Sequence, residues 1–513
     1  MGILSVTLEN PSQNGDHSQI TSAHRSKPHN DREEPKTALC ELYASSVTAK
    51  LWSVAQQALQ LTSTPPTLYP EYTHPGGSKY IYRDQEFWTS GFFPGSLYLL
   101  LERQLPYPQV FRQKQQPSPL HRLQLEHACT WWTENLHANA RLATTHDLGF
   151  MIMPWARPAW ELRHDGRARE TLEAAAATLL GRYSPAVGAI RSWDTCVTRA
   201  YSFQDPASEF LVVIDNMMNL SLLFYVAATT AGANAADMHA AAVSHARTTR
   251  RTHVRADGTT AHLAVLDPAD GAVRERLTNQ GRHHGSCWSR GQAWAVAGFA
   301  EAWGWTREDE FLETAVLCAD AFLARMPEGE DAVPPWDLEP APAGVEDGSG
   351  AAAAAEGRGE GEKSEVVEPT DTSAAMIASY GFLLIYEALK SRADGASAQK
   401  YLDAALSITG AVCRGYLTPR GKFVPRADGA TTVRSIFDTP DHGAEERDVA
   451  VAGFNVDDGG CEAILDGATI NNYQFAPRRW ANHSLVYADY YFMLVGNKLL
   501  EMGIGDEFVC SGA

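Results

Sequence analysis

The stretch FLVVIDNMMNL, residues 210–220, places one acid and two amides inside an otherwise apolar run. Moving a carboxylate out of water costs free energy unless the group is paired, hydrogen-bonded or protonated. Asp215 is therefore either satisfied by structural partners or retained because a reaction needs it. The apolar residues around Asp215 predict that it lies in the protein core. This stretch is therefore informative about both the fold and the chemistry.

Helical spacing of apolar residues recurs around this stretch and along most of the chain. Helices are predicted near 38–62, 89–103, 120–138, 146–162, 167–182, 208–231, 236–250, 288–304, 307–326, 372–391, 396–414 and 482–502. Strand patterns are few, and the clearest lie around 252–266 and 420–436. About twelve helices with little sheet predict two packed helical layers. The predicted fold class is all-α: an (α/α)6 barrel with six inner and six outer helices and short β-hairpins in its loops.

An α-solenoid of stacked helix pairs is the alternative, and the absence of a fixed-period repeat disfavours it. Residues 1–36 are polar and predicted to be disordered, which leaves 37–513 as a single domain. Within it, residues 339–369 are low in complexity and acidic, and we expect a surface loop there. Residues 426–469 are rich in Gly and Asp and are predicted to form an irregular insert.

Composition restricts the possible partners. A formal net charge of -19 argues against general nucleic-acid binding, which relies on a basic surface. The eight cysteines are scattered without a CxxC or zinc spacing, as expected for reduced thiols in the cytoplasm. The N-terminus lacks the features of a secretory signal, and no apolar run approaches the roughly 20 residues of a membrane span. We expect a soluble, cytoplasmic protein that uses neither nucleic acid nor membrane. The 13 tryptophans suit stacking on sugar rings.

Polar residues concentrate in eight stretches near predicted helix ends. They are EFWTSGFFPG (86–95), THDLGFM (145–151), GAIRSWDT (188–195), VIDNMMNL (213–220), HVRADGTTAHL (253–263), NQGRHHGSCWSRGQAW (279–294), VPPWDLEP (333–340) and PTDTSAAMIASYG (369–381). The connections at one end of a helical toroid converge on a single pocket. These stretches are therefore expected to share one site.

HDLGF, GAIRSWD, IDNMMNL, GSCWSRGQAWAVAGF, VPPWD and DTSAAMIAS resemble motifs of the unsaturated glucuronyl hydrolases, glycoside hydrolase family 88. Their order and approximate spacing are kept from about residue 80 to SLVYADYYFM at 484–493. The resemblance implies an (α/α)6 barrel that needs no metal or cofactor. Its substrates are lyase-generated oligosaccharides that end in a 4,5-unsaturated uronic acid. The rule that relates carboxyl separation to retention or inversion does not apply, because the reaction hydrates a C4=C5 vinyl ether.

In that reaction an acid protonates C4, water adds at C5, and the hemiketal opens to release a keto acid. We expect Asp215 to be the general acid and then the base, kept protonated by its apolar neighbours. Asp147, the matching family position in HDLGF, would hold Asp215 in place and help to keep it protonated. His146 and Asn216 are candidate orienting groups. The alternatives are a hydrogen-bonded core Asp215 and a helix N-cap role for Asp147.

The resemblance also implies residues that surround the uronic ring. By family position they are His262, Gln280, Arg290 and Trp294, with Trp88 stacking on the ring. Arg290 is the candidate cation for the substrate carboxylate. Structural alternatives stand beside each role: a surface hairpin position for His262, core packing for the two tryptophans, and an ion pair of Arg290 with Asp194 or Asp371. Trp193 and Asp194 are candidates for the next sugar subsite.

No metal site is expected, because His283 and His284 lack the spacing of a helical zinc motif. Three other functions remain open. They are an unsaturated rhamnogalacturonyl hydrolase acting on pectin fragments, a sugar epimerase on the same toroid, and a non-enzymatic scaffold or carbohydrate-binding protein. An epimerase would need a pair of histidines facing the sugar, whereas the strongest motifs centre on Asp. The expected oligomeric state is a monomer or homodimer.

Overall fold

Helices dominate the computed structural model, which describes residues 34–111, 119–230, 232, 234–339, 368–426, 431–439, 443–451 and 453–509. Within these ranges the helices are α1 (Glu34–Leu39), α2 (Ser45–Leu61), α3 (Phe92–Gln104), α4 (Arg122–Thr133), α5 (Leu148–Arg163), α6 (Gly166–Leu180), α7 (Asn216–Thr229), α8 (Ala235–His253), α9 (Ser289–Thr306), α10 (Asp309–Leu323), α11 (Thr372–Ser391), α12 (Gly395–Gly415) and α13 (Val486–Glu501). The predicted helices agree with these closely, except at the ends of a few.

Six of the helices close into an inner ring. Helix α3 packs on α5, α5 on α7, α7 on α9, α9 on α11, α11 on α13, and α13 returns to α3. Helices α4, α6, α8, α10 and α12 each pack outside the inner helix that precedes them, and α2 packs beside α3 and α4. Because an outer helix carries the chain back after each inner one, the inner helices run in one direction. Their N-termini therefore meet at one end of the barrel.

Inner helices are mostly apolar and largely buried, as expected for helices packed between neighbours. In α7, ten of the first eleven residues are buried, including polar Asn216 and Asn219. Glycines let the inner helices approach closely: a Cβ at Gly381 would lie 2.9 Å from the Ala297 backbone nitrogen of α9. Helix α11 is long and apolar enough by composition to cross a membrane, contrary to the sequence expectation, but 78% of its apolar window is buried. It packs between α9 and α13 as a core helix.

The strands are short and antiparallel, as predicted for hairpins in loops. They pair as β1 (Leu68–Thr73) with β2 (Tyr80–Asp84), β3 (Tyr183–Ser184) with β4 (Ala189–Ile190), β5 (Cys196–Val197) with β6 (Ser202–Phe203), β7 (Phe210–Val213) with β8 (Leu263–Leu266) and β8 with β9 (Val273–Leu277), β10 (Lys422–Pro425) with β13 (Phe454–Asp457), and β11 (Thr431–Thr439) with β12 (Gly443–Val451). The three-stranded sheet β7–β8–β9 is covered on both faces by apolar side chains.

Two predictions of local structure were wrong. The helix expected from residue 208 begins only at Asn216, because Phe210–Val213 pairs with β8 and forms a strand. A short apolar run is ambiguous between helix and strand, and pairing decides it. The segment 426–469, expected to be irregular, contains β11, β12 and β13; its Thr- and Val-rich start favours strand. Most of 1–36 and 339–369 lies outside the described residues, so those two predictions stay predictions.

Candidate active site

Two aspartates stand at the N-termini of neighbouring inner helices. Asp147 precedes α5 and Asp215 precedes α7, both in the N-cap position. An N-cap Asp ordinarily accepts backbone amide hydrogen bonds, and losing such a cap costs about 0.5–2 kcal/mol. Asp371 does this at the start of α11, where it accepts from the Ser373 and Ala374 amides. In the described part of the chain neither Asp147 nor Asp215 makes a side-chain cap bond, so both carboxylates are available for other partners.

Backbone pairing through Trp193 brings the two aspartates together. Isolated β-bridges join Trp193 to Thr145 on one side and to Leu211 on the other. Asp147 lies two residues after Thr145, and Asp215 lies four residues after Leu211. The loop at 190–194 therefore ties the start of α5 to the end of β7. The motif GAIRSWD therefore has a structural role: it joins the segments that carry the two aspartates.

His146 lies between the two carboxylates. Its Nε2 is 3.4 Å from Asp147 Oδ1 and 3.4 Å from Asp215 Oδ1. Its Nδ1 donates a hydrogen bond to the Ser192 carbonyl at 3.0 Å, which fixes the ring orientation. The His146 side chain is 1% exposed, whereas those of Asp147 and Asp215 are 13% and 19% exposed. Only the carboxylates of this cluster reach the solvent-facing side.

The distribution of protons differs from the sequence prediction. Burial favours a raised pKa for Asp215, but the hydrogen bond and charge of His146 outweigh burial and hold that pKa below its usual range. For Asp147, burial and the Asp215 charge together raise the pKa against the effect of His146. Burial lowers the pKa of His146, yet the two carboxylates raise it overall. Asp215 is therefore the more acidic carboxyl of a coupled set in which the pKa values of His146 and Asp147 are raised.

Asp147 is further fixed by Thr145. The Thr145 hydroxyl donates to Asp147 Oδ2 at 2.5 Å and accepts from the Asp147 amide at 3.1 Å. The sequence reading did not single out Thr145. Its signal is its place two residues before an N-cap Asp, where a hydroxyl can bond to the local backbone.

His262 enters the same site from the end of the adjacent strand. Strands β7 and β8 are antiparallel with Val213 opposite Leu263, so the residues just beyond this pair lie together. The Asn279 amide donates to His262 Nδ1 at 3.0 Å. Burial lowers the pKa of His262 to about 4, so the ring is neutral and carries its proton on Nε2. The surface hairpin alternative is wrong, because His262 is buried against Trp288, with ring centroids 4.7 Å apart.

Asn216 is a positioning residue rather than a substrate contact. It is fully buried, and its Nδ2 donates to the Ile190 carbonyl at 3.1 Å and the Ser192 hydroxyl at 3.2 Å. The Ser192 hydroxyl also accepts from the Val213 amide. Ser192, which sequence reasoning missed, thus holds His146 through its carbonyl and the start of α7 through its hydroxyl.

Arg290 has a structural role that differs from its predicted one. Its Nη1 donates to Asp371 Oδ2 at 2.6 Å, the Ser373 hydroxyl at 3.1 Å and the Thr469 carbonyl at 2.8 Å. Its Nη2 donates to the Ile470 carbonyl at 2.7 Å. The side chain is 1% exposed. Of the two ion pairs considered as alternatives, the one with Asp371 forms, while Asp194 pairs with Arg182. Arg290 therefore locks the starts of α9 and α11 together.

Aromatic rings line the mouth of the barrel beside these groups. Trp193 lies edge-on to both His146 and His262, with centroids 6.4 Å apart in each case. Trp88 is partly exposed and packs on Tyr487 at 5.1 Å. Trp294, by contrast, is buried against Phe150 and Tyr491, so core packing is its role.

Gln280, His283 and His284 are held by hydrogen bonds to the backbone. Gln280 is partly exposed, and its Nε2 donates to the same Ile470 carbonyl that accepts from Arg290. His283 and His284 accept hydrogen bonds from the amides of Gly285 and Thr278. In the described ranges, the groups able to hold a metal ion reduce to His146, Asp147 and Asp215, whose ligand atoms lie within 4.8 Å of one another. The raised pKa of His146 favours an imidazolium at that position, which competes with metal ligation.

Comparisons with known proteins identify the family and the fold. No family model matches the chain. It is 32% identical over 341 residues to the unsaturated glucuronyl hydrolase of Bacillus sp. strain GL1, covering 66% of this chain and 78% of that protein. It is 32% identical over 273 residues to the one of Formosa agariphila, covering 53% and 60%. An unsaturated chondroitin disaccharide hydrolase of Streptococcus pneumoniae is 28% identical over 262 residues, covering 50% and 59%.

The match thus spans three fifths of the length of the Formosa relative. A solved structure of the Bacillus sp. GL1 protein, described as responsible for glycosaminoglycan degradation, superposes with a TM-score of 0.64 at 24% identity. It covers 92% of this chain and 98% of that chain. Such structures are (α/α)6 barrels, which confirms the predicted fold class.

Proposed function

This chain belongs to the unsaturated glucuronyl hydrolase family, and we propose that it removes the 4,5-unsaturated glucuronic acid from the non-reducing end of lyase-generated oligosaccharides. The bond attacked is the C4=C5 vinyl ether, which is hydrated rather than displaced at the anomeric carbon. We assign the chain to glycoside hydrolase family 88 on the same grounds. Asp215 is the acid and base of this reaction, and His146 and Asp147 supply and hold its proton.

One observation carries the proposal: in the described part of the chain, two N-cap aspartates make no side-chain cap bond and share one buried histidine. A structural aspartate would accept the amide hydrogen bonds, as Asp371 does. A cluster in which the pKa of one carboxyl is raised and that of its neighbour is lowered is typical of catalytic acid and base pairs. The cluster lies at the mouth of the barrel beside aromatic rings, which suit a sugar.

Protonation of C4 begins from the proton held by His146 and Asp147. A bound uronate places a second negative charge near Asp215, which raises the pKa of its carboxyl. The proton then passes from His146 Nε2 to Asp215 across a contact that measures 3.4 Å in the free protein. Catalytic hydrogen bonds are often long before substrate binds and shorten in the complex. Asp215 gives the proton to C4, and positive charge develops at C5 and the ring oxygen.

Hydration completes the reaction. The Asp215 carboxylate takes a proton from water as the water oxygen bonds to C5. Asp215 then passes this proton back to His146 Nε2, which restores the starting state. The hemiketal then opens by cleavage of the bond between C5 and the ring oxygen, which gives a ketone at C5 and a hemiacetal at C1. Collapse of that hemiacetal to an aldehyde releases the next sugar as an alcohol. His262 is neutral and presents Nε2–H on the same side as Asp215, where it serves as a hydrogen-bond donor to the substrate.

The substrate carboxylate is held without Arg290 in this proposal. All six inner helices direct their N-termini to this end, and each N-terminus carries a partial positive charge. Asp147 and Asp215 leave the amides of α5 and α7 unused by their own side chains. Trp88 and Trp193, which are partly exposed, provide faces for the sugar ring.

A panel of unsaturated oligosaccharides tests the function. The substrates come from lyase digestion of chondroitin, heparin, gellan, xanthan and pectin, and the readout is the ultraviolet absorbance of the vinyl ether. We expect absorbance to be lost with release of one keto acid per molecule, on glycosaminoglycan or gellan products before pectin ones. Preference for pectin products would indicate the rhamnogalacturonyl alternative. Stable absorbance on every substrate, with sugar binding intact, would reject the hydrolase.

A further inference from the structure

A cavity opens at the end of the barrel opposite the two aspartates. Its volume is about 810 Å³, and it is lined by residues of all six inner helices, mostly from their C-terminal halves. Phe92, Phe150, Met218 and Tyr491 line its deep part. On the active-site side, Phe150 packs against Trp88 and Trp294, with centroids 5.5 and 5.1 Å away. An aromatic layer therefore separates this cavity, called the lumen below, from His146 and the two aspartates.

Two tyrosine hydroxyls in the lumen have no hydrogen-bond partner among the described residues. Tyr490 and Tyr491 are 8% and 4% exposed, and both line the cavity from α13. A hydroxyl that no protein group satisfies needs a partner from solvent or from a ligand. Here both hydroxyls face a space large enough for a ligand. They are polar groups that the fold itself does not satisfy.

The charge of the lumen is negative. Five glutamates and three basic residues line it: Glu102, Glu161, Glu301, Glu387, Glu501, Arg157, Arg307 and Lys498. The C-terminal ends of six inner helices add negative partial charge at the same end. A positively charged ligand is therefore favoured over a neutral or anionic one.

Two of the carboxylates are not neutralised. Glu161 pairs with Arg157, and Glu387 and Glu501 share Lys498. Glu301 accepts hydrogen bonds only from the hydroxyls of Ser221 and Tyr380, and Glu102 from Asn497, within the part of the chain that the structure describes. Burial raises the pKa of both carboxyls, and the nearby charge of Arg157 opposes this effect only in part.

We propose that the lumen is a second ligand site, for a small organic ammonium ion. Glu301 provides the opposite charge, the Tyr490 and Tyr491 hydroxyls accept its N–H groups, and the rings of Tyr380 and Tyr491 offer cation–π contacts. A metal ion fits less well, because in the described residues only the His146 cluster brings three ligand atoms together. The site shares no side chain with the proposed hydrolase chemistry, so each can fail without the other.

Calorimetric titration of the full chain tests the site. The probes are spermidine, which has N–H donors, and tetramethylammonium, which has none, at constant ionic strength. We expect one saturable site, weakened at least about tenfold by Glu301→Gln, which is about 1.4 kcal/mol. Glu170→Gln is the matched control, since Glu170 carries the same charge on the exposed face of α6. Tyr491→Phe should weaken spermidine severalfold and leave tetramethylammonium unchanged, because the ring is kept.

The absence of saturable binding for both probes would overturn the proposal. Equal effects of Glu301→Gln and Glu170→Gln would also overturn it, because they would show only a response to net charge. Thermal unfolding checks that each variant is folded. Should Glu301→Gln not fold, the two-probe comparison in Tyr491→Phe decides: equal loss of both probes rejects the site, and selective loss of spermidine supports it.

Discussion

Replacing Asp215 by Asn tests the proton cluster most directly. The substitution keeps the shape of the side chain and removes its charge. Two unit charges 3.4 Å apart attract by about 5 kcal/mol at an effective dielectric constant of about 20. This attraction is what holds the proton on His146 beside Asp215. The variant retains Asp147 at the same distance from His146, so the proton stays in the cluster but has no carrier to C4.

The expected loss in kcat is about 10²–10⁴-fold, the usual contribution of general acid–base catalysis. It corresponds to a barrier increase of about 2.7–5.4 kcal/mol, comparable to the lost attraction. KM should change by only a few fold, because the amide still fills the same position. The assay is the loss of vinyl-ether absorbance on an unsaturated glycosaminoglycan disaccharide.

Asp237→Asn is the control, since Asp237 lies exposed in the first turn of the outer helix α8. Its kcat should match that of the wild type. Turnover of Asp215→Asn within tenfold of the wild type, in a folded variant, would refute the assignment of Asp215 as the acid.

Three other predictions follow from the same structure. Arg290→Met should lower the free energy of unfolding by about 3–5 kcal/mol, because it leaves Asp371 buried without its cation; a raised KM with unchanged stability in denaturant titration would instead favour a substrate contact. Extensive treatment with EDTA should leave kcat unchanged, since His146 provides the positive charge between the carboxylates; loss of activity restored by a divalent ion would contradict this. Acid should destabilise the protein as the pH falls from 6.5 toward 4, because buried histidines bind protons only on unfolding. These histidines are His245, His253, His262 and His483, whose pKa values burial lowers to about 3 or about 4. Each lowers the free energy of unfolding by about 2 kcal/mol at about pH 5. A denaturation midpoint that is no lower at pH 5 than at neutral pH would contradict this prediction.

The helices and the positions of the two aspartates were predictable from the sequence. Helical periodicity and an Asp just before an apolar run are local patterns, and α5 and α7 begin where such patterns place them, except that strand pairing delays α7 to Asn216. Closure of the ring was predictable in outline, because twelve buried helices have few ways to pack. The family resemblance of the motifs then indicated that the loops at one end converge.

The partners of individual groups depended on the tertiary structure. Arg290 pairs with Asp371, which is 81 positions away in the chain. Its guanidinium therefore binds a protein carboxylate in place of the substrate carboxylate that was expected. Trp294 could face the substrate or the core, and its position in α9 put it in the core. A raised pKa was expected for Asp215, yet the hydrogen bond and charge of His146 lower that pKa, whereas the pKa of Asp147 is raised.

The sequence by itself determined where most of the helices lie and which chemistry the residues before them could carry, because spacing along a chain sets local conformation. Only the tertiary structure decided where α7 begins, in which direction each pKa of the His146 cluster shifts, and which cations are already paired. Charge interactions fall off with distance through space, and that distance is set by segments far apart in the chain.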